Sequence, residues 1–235
     1  MIIDFKVRMR LFTSVWLLAA CGKQVSQRNA IEDHTTSQRA ESVGVSSPFH
    51  SYSGWKQVVS FHASDSASDA VVEACIQAAS TWNDTIGRDV LGFAGTVTAL
   101  RKSGLYSSLE DDLTIVYPVS DWHASTGKAN TTLATTVWEN ATDSDRIVKG
   151  DVLLNTQEYI FVDALKVHTD SNNQLPVVDA QTVILHEFGH LLGLEHVSVE
   201  DDIDSIMHAR TYVGAGVASR IPSAQDVTNI RSIYD

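Results

Sequence analysis

The chain has 235 residues, 43% of them hydrophobic and 20% charged, which is enough apolar material for one ordinary core and too much for a disordered polymer. Seventeen basic residues against 29 acidic ones give a formal net charge of −12 at pH 7, which excludes nucleic acid and anionic lipid as partners of the protein surface. Two cysteines exclude a disulfide framework.

Lys6, Arg8 and Arg10 precede an apolar run from Leu11 to Ala20 that ends Leu18-Ala19-Ala20-Cys21, with small residues at a cleavage position. Residues 1–20 are therefore expected to be an export signal. The run falls short of the roughly 20 apolar residues a transmembrane helix needs. Its ending resembles the bacterial lipobox, which implies a mature chain that begins at Cys21, acylated there and held to a membrane through lipid. An ordinary secretory cut nearby would keep the export and lose the anchor. Gly22 stands where an aspartate commonly retains lipoproteins at an inner membrane, so an outer-membrane or cell-surface destination is implied for a diderm envelope. Removing Lys6, Arg8, Arg10 and Asp4 leaves a mature charge of −14. Residues 21–47, rich in Ser, Gln, Thr and charge without an apolar period, are expected to be a flexible tether, and residues 48–235 a single folded domain.

Within that domain Gln57–Phe61 reads as a strand, and Ser68–Thr85 as a helix with Val71, Val72, Cys75, Ala78, Ala79 and Trp82 at helical spacing and Ser68 or Asp69 as N-cap. Cys75 is expected to be a buried small hydrophobe. Val90–Leu100, Leu113–Val119, Thr131–Trp138 and Asp151–Asn155 read as further strands. Asp179 is placed to cap a second helix whose Ile184, Phe188, Leu191 and Leu192 form a core-facing stripe. This order predicts a mixed α/β (α+β) domain.

The second helix carries His186-Glu187-Phe188-Gly189-His190-Leu191-Leu192-Gly193-Leu194-Glu195-His196. Residues four apart share a helix face, so His186 and His190 point at one place. Glu187 lies about 100° further round, within reach of a water held there but outside the ligand set, and reads as the general base. Gly193 lets the chain leave the helix in a left-handed conformation and return His196 as third ligand. Three neutral nitrogens leave one position open on a zinc ion, the arrangement of a catalytic rather than a structural site, with bound water acidified to a pKa of roughly 7. The chemistry expected is peptide hydrolysis, with Glu187 taking the proton of the attacking water and returning it to the leaving amine. Three His, one Glu and one Gly fall in this register by chance in roughly one such chain per 10⁴ to 10⁵, so accident is a poor explanation.

The pattern resembles the extended zinc signature of the metzincin peptidases, and the flanking sequence is most similar to the matrixin branch. Ser205-Ile206-Met207-His208 matches the Met-turn, in which a methionine floors the metal without ligating it, so the resemblance gives Met207 a supporting role beside Gly193. Pro222 to Tyr234 resembles the closing helix of matrixin catalytic domains, and Val227, Ile230 and Tyr234 have helical spacing on their own account. The implied architecture is a metzincin-type zincin domain: a twisted mixed sheet, a backing helix, the active-site helix and a C-terminal helix. Astacins and serralysins have a tyrosine two residues after the methionine, where Ala209 stands here, and Tyr212 is given no catalytic role. Vertebrate matrixins block their zinc with a propeptide cysteine, and neither Cys21 nor Cys75 has that context. By analogy, Ala209–Arg220 walls the pocket for the side chain after the scissile bond.

One catalytic Zn²⁺ is the cofactor expected. His168-Thr169-Asp170 has the local look of the His-x-Asp element that holds a second, structural zinc in some matrixins, but it lacks identifiable co-ligands and reads better as a solvent loop. Asp111-Asp112 and Glu200-Asp201-Asp202 with Asp204 form no ordered calcium loop, so Ca²⁺ stays unsupported. His34, His50, His62, His123 and His208 also stand outside the signature, and the tripeptides at Asn83, Asn130 and Asn140 fit glycosylation acceptors without carrying information. A monomer acting on protein or peptide substrates is expected. Two functions from different classes fit: a lipid-anchored zinc endopeptidase, or a surface lipoprotein that uses the scaffold for adhesion or zinc capture. Glu187 favours the first, because a binding scaffold needs no base beside its metal.

Overall fold

The computed structural model describes residues 52–98, 103–142, 144–167 and 175–235, together with the two-residue strands β1 (Leu17–Leu18) and β2 (Gln24–Val25). The segments expected to be an export signal and a tether otherwise lie outside the described residues, as do Cys21, His34, His50 and His168-Thr169-Asp170. No helix among the described residues is long and apolar enough to cross a membrane.

Five strands form the main sheet: β3 (Val59–Ser64), β4 (Leu91–Val97), β5 (Thr114–Val119), β6 (Ala134–Asn140) and β7 (Ile147–Asn155), in the order β6-β7-β5-β3-β4. All neighbours run parallel except β6, which is antiparallel to β7. On the outer side of β6, Gln24 and Val25 pair in parallel with Trp138 and Glu139. A parallel pair, β8 (Ile160–Val162) with β9 (Val177–Asp179), leads into the site helix, and β10 (Arg210–Thr211) pairs antiparallel with β1.

Helix α1 (Asp69–Ile86) forms where the sequence places it. Ser68 accepts a hydrogen bond from the Val71 N–H at its start, and Gly87, at φ +85°, ends it. Its buried face, including Ala74, Cys75, Ala78 and Trp82, backs the sheet and packs on α3 (Ala180–Leu191). Cys75 is fully buried, and that burial pushes its thiol up to about 12. The opposite face of the sheet is closed by Trp122 of the short helix α2 (Trp122–Thr126), against Ile115, Tyr117 and Leu153. Central strand β7 is thus covered on both faces from Gly150 to Asn155. Helix α4 (Ala224–Tyr234) starts in a capping box made by Ser223 and Asp226, and its Tyr234 hydroxyl donates to the Leu192 carbonyl at 3.1 Å.

Strand bounds shift where pairing, not composition, decides them. The first strand begins at Val59, opposite Leu91, because Val58 is exposed, and it runs on to Ser64. The second stops at Val97 rather than Leu100. β6 starts at Ala134, after a turn closed by Thr132 N–H to the Ala129 carbonyl, and extends to Asn140 opposite Ile147, which also lengthens β7. Helix α2, the β8–β9 pair and a 3-10 turn at Ser107–Glu110 had no clear periodic signal.

Candidate metal centre

Asp179 starts the site helix as expected: its carboxylate accepts from the Thr182 N–H and hydroxyl at 3.0 and 2.7 Å. Ile184, Phe188, Leu191 and Leu192 are all fully buried, which fixes the roll of α3 and turns His186 and His190 to the other side. Gly193 takes φ +108°, a region cheap only for glycine, and an added Cβ would stand 3.1 Å from the Tyr52 carbonyl. The turn closes through Gly193 N–H to the His190 carbonyl and Leu194 N–H to the Gly189 carbonyl, at 3.0 and 2.9 Å. His196 is thereby returned to the helix.

His186, His190 and His196 converge, with one ligand atom from each lying within 4.8 Å of the others. The Nε2 atoms of His190 and His196 stand 3.0 and 3.3 Å from that of His186. Two nitrogens on a tetrahedral zinc, each about 2.0–2.1 Å from the ion, stand about 3.3 Å apart, so the spacing fits. The protonation pattern fits as well. His186 donates its Nδ1 proton to the Ile206 carbonyl at 2.8 Å, and His190 donates to the Leu194 carbonyl at 2.7 Å. Both Nε2 atoms therefore present lone pairs to each other, a repulsion that a shared cation relieves. Burial holds all three rings neutral at pH 7, lowering His186 to about 4, His196 to about 3 and His190 well below its ordinary value, with the neighbouring imidazoles adding to the drop in the last two.

Glu187, next in sequence to His186, is fully buried and is not a member of this cluster. Burial pushes its carboxyl up to about 7, against a hydrogen bond from Thr136 that lowers it. Its Oε2 accepts from the Thr136 hydroxyl at 2.7 Å, and its Oε1 is buried without a hydrogen-bond partner.

Met207 is fully buried beneath the helix. A Cβ at Gly189 would overlap its sulfur and lie 2.9 Å from its Cε and 3.2 Å from the Trp82 ring. The turn that carries Met207 is pinned by Asp226 of α4, also fully buried, which accepts from the Ser205 hydroxyl (2.7 Å), the Ile206 N–H (2.9 Å) and the Ser223 N–H (3.0 Å). Ile206 thus links two bonds: its N–H is held by Asp226, and its carbonyl orients His186. Met207 in turn accepts the Val197 N–H at 3.0 Å, tying the turn to the residue after the third histidine.

Beside His186 opens a cavity of about 790 Å³ with Leu133, Val183, Val197 and Ile206 among its apolar lining. Ala209, Arg210, Thr211, Tyr212 and Ser219 line it too, so the segment expected to wall a pocket does so. His62, His123 and His208 stay apart from the cluster; His123 and His208 donate to the carbonyls of Lys128 and Asp202. Asp111-Asp112 and Glu200-Asp201-Asp202 with Asp204 form no metal-ligating group among the described residues, and Asp112 pairs with Lys149 at 2.8 Å.

Sequence reasoning missed Thr136, Gly189 and Asp226. Gly189 carried a signal, since a glycine inside a helix costs about 1 kcal/mol relative to alanine and often marks a close approach. Asp226 showed only as a first-turn acid of a helix, and Thr136 as one of many strand threonines. No curated protein matches this chain. The family model described as Matrixin matches residues 62–235, a span that holds the three histidines, Glu187, the Met207 turn and α4. The chain belongs to the matrixin family of metallopeptidases.

Proposed function

We propose that the protein is a zinc-dependent endopeptidase in which Glu187 is the general base. The observation that carries this reading is a buried carboxylate with one unpartnered oxygen on the helix that carries two of three neutral, convergent imidazoles. His186, His190 and His196 would hold the ion. Zinc, when bound there, supplies a Lewis acid that polarises the scissile carbonyl and acidifies water. Glu187 Oε1 takes the proton of the attacking water and later delivers it to the leaving amine. The hydrogen bonds of Ile206 and Leu194 keep two of the rings in the tautomer that presents Nε2.

An extended peptide binds along β6, which stands at one end of the five main strands and is the one joined to Glu187 through Thr136. The pairing of Gln24–Val25 on the outer side of β6 supports this, because that edge accepts a strand. The side chain after the scissile bond enters the cavity beside His186, whose lining selects a bulky apolar group. Export, acylation at Cys21 and a cell-surface location complete the proposal and rest on residues 1–22 alone.

The full chain is expected to bind about one zinc and to cleave an unstructured protein internally, with cleavage abolished by a chelator. Glu187→Ala should keep the metal and lose roughly 10²- to 10⁴-fold in turnover. Undiminished turnover by that variant rejects the assigned base, and zinc binding without cleavage by the wild type favours zinc capture.

A further inference from the structure

Thr136 sits in the middle of β6 opposite Val152 of β7, and it is fully buried. Its hydroxyl lies 2.7 Å from Glu187 Oε2 and 2.9 Å from the Glu187 carbonyl, 51 residues away in sequence. A hydroxyl has one proton to donate. An ionised carboxylate is the stronger acceptor of the two, and the carbonyl is already engaged in the helix ladder, so the proton goes to Oε2 when Glu187 is charged. The carbonyl then serves as the second acceptor, which receives the proton whenever Oε2 does not. The hydroxyl has an acceptor in either state, and the β-branched side chain has little rotamer freedom to leave.

The consequence is an asymmetric carboxylate. Oε2 is fixed, whereas Oε1 has no partner among the described residues and is the oxygen left to meet water. We propose that Thr136 is a positioning residue for the general base, holding Glu187 so that Oε1 alone faces the reacting water. This rests on the peptidase reading above and adds to it a requirement for a hydroxyl at position 136.

The test compares the full-length wild type with Thr136→Val, Thr136→Ser and Thr136→Ala, all zinc-loaded, in steady-state cleavage of a fluorogenic peptide. Valine keeps the shape and loses the hydroxyl; serine does the reverse. A positioning role predicts that Thr136→Val loses roughly 10- to 100-fold in kcat, with KM and zinc content unchanged, the loss expected for misplacement of a reacting group by up to about 1 Å. Thr136→Ser should recover most of that loss. A packing role predicts the reverse order, with Val close to wild type and Ser impaired, and that result overturns the inference. Should Thr136→Val fail to fold, Ser against Ala decides: equal kcat in those two overturns the proposal, and a Ser variant at least ~10-fold faster than Ala supports it. Absence of zinc-dependent cleavage by the wild type overturns the peptidase reading and this inference together. A wild type that cleaves and a Val variant that matches it overturn this inference alone.

Discussion

The floor beneath the three histidines and the wall facing them are built in opposite ways. The floor consists of Gly189, Met207, Trp82 and Asp226: three of its side chains are fully buried, and the fourth residue has no side chain because there is no room for one. The wall from Ala209 to Arg220 has Tyr212 half exposed and positive φ at Gly214 and Gly216. Its attachments include the two-residue pairing of Arg210–Thr211 with Leu17–Leu18, Gly216 N–H to the Ala164 carbonyl, Ser219 N–H to the Thr182 hydroxyl, and Arg220 to Asp179 and Asp163. A ligand set has to hold its geometry to within fractions of an ångström, whereas a pocket that selects side chains tolerates adjustment. Rigidity is concentrated where chemistry needs it.

That contrast can be broken from the floor side first. Gly189→Ala forces a methyl into Met207 and Trp82, so it should destabilise the protein by about 3 kcal/mol, the upper part of the usual overpacking range, and displace the two helical ligands. Thermal melting and zinc titration check this; an alanine variant with wild-type melting and affinity would mean that the floor is not tight. Asp226→Asn comes next. The amide can keep its oxygen toward the Ile206 and Ser223 N–H groups, but its NH2 then meets the Ser205 hydroxyl, whose proton loses its carboxylate acceptor, and about 2 kcal/mol of stability should be lost. Zinc affinity should fall with it, since His186 is oriented through Ile206. An unchanged zinc dissociation constant would separate the Met207 turn from the metal.

The wall gives the smallest effect. Hydrogen bonds from Lys166 and Arg220 hold the Asp163 carboxyl down to about 2. A carboxyl whose folded pKa lies below its unfolded value, near 4, contributes stability above that value and loses it as pH falls toward 2. Asp163 is partly exposed, so Asp163→Asn should cost about 1 kcal/mol or less at pH 7. The melting difference from wild type should shrink as pH falls from 4 to 2. A difference that persists at pH 2 would show that the carboxylate charge is not what secures the wall.

Much of the fold was legible because its signals are local. Ser68 or Asp69, and Asp179, were readable as caps from their place before a periodic apolar run, and Ser68 and Asp179 cap. Gly193 was readable as a turn because the third histidine had to come back. Strand ends were less legible, since β6 and β7 lengthen each other by pairing across residues that show no alternation of their own. The pocket wall was placed by family likeness, and its apolar partners Leu133 and Val183 come from other elements.

The sequence by itself determined which three histidines converge and the helix that carries two of them, because residues four apart share a helix face and the third is brought back by a single glycine turn. Only the tertiary structure decided what holds those groups in place. Thr136 lies 51 residues from Glu187, Asp226 lies 20 from Ile206, and Trp82 bonds to the Leu185 carbonyl from 103 residues away. Contacts of that separation depend on how strands register and helices roll. Both are settled by packing the core as a whole, so no window of the chain displays them.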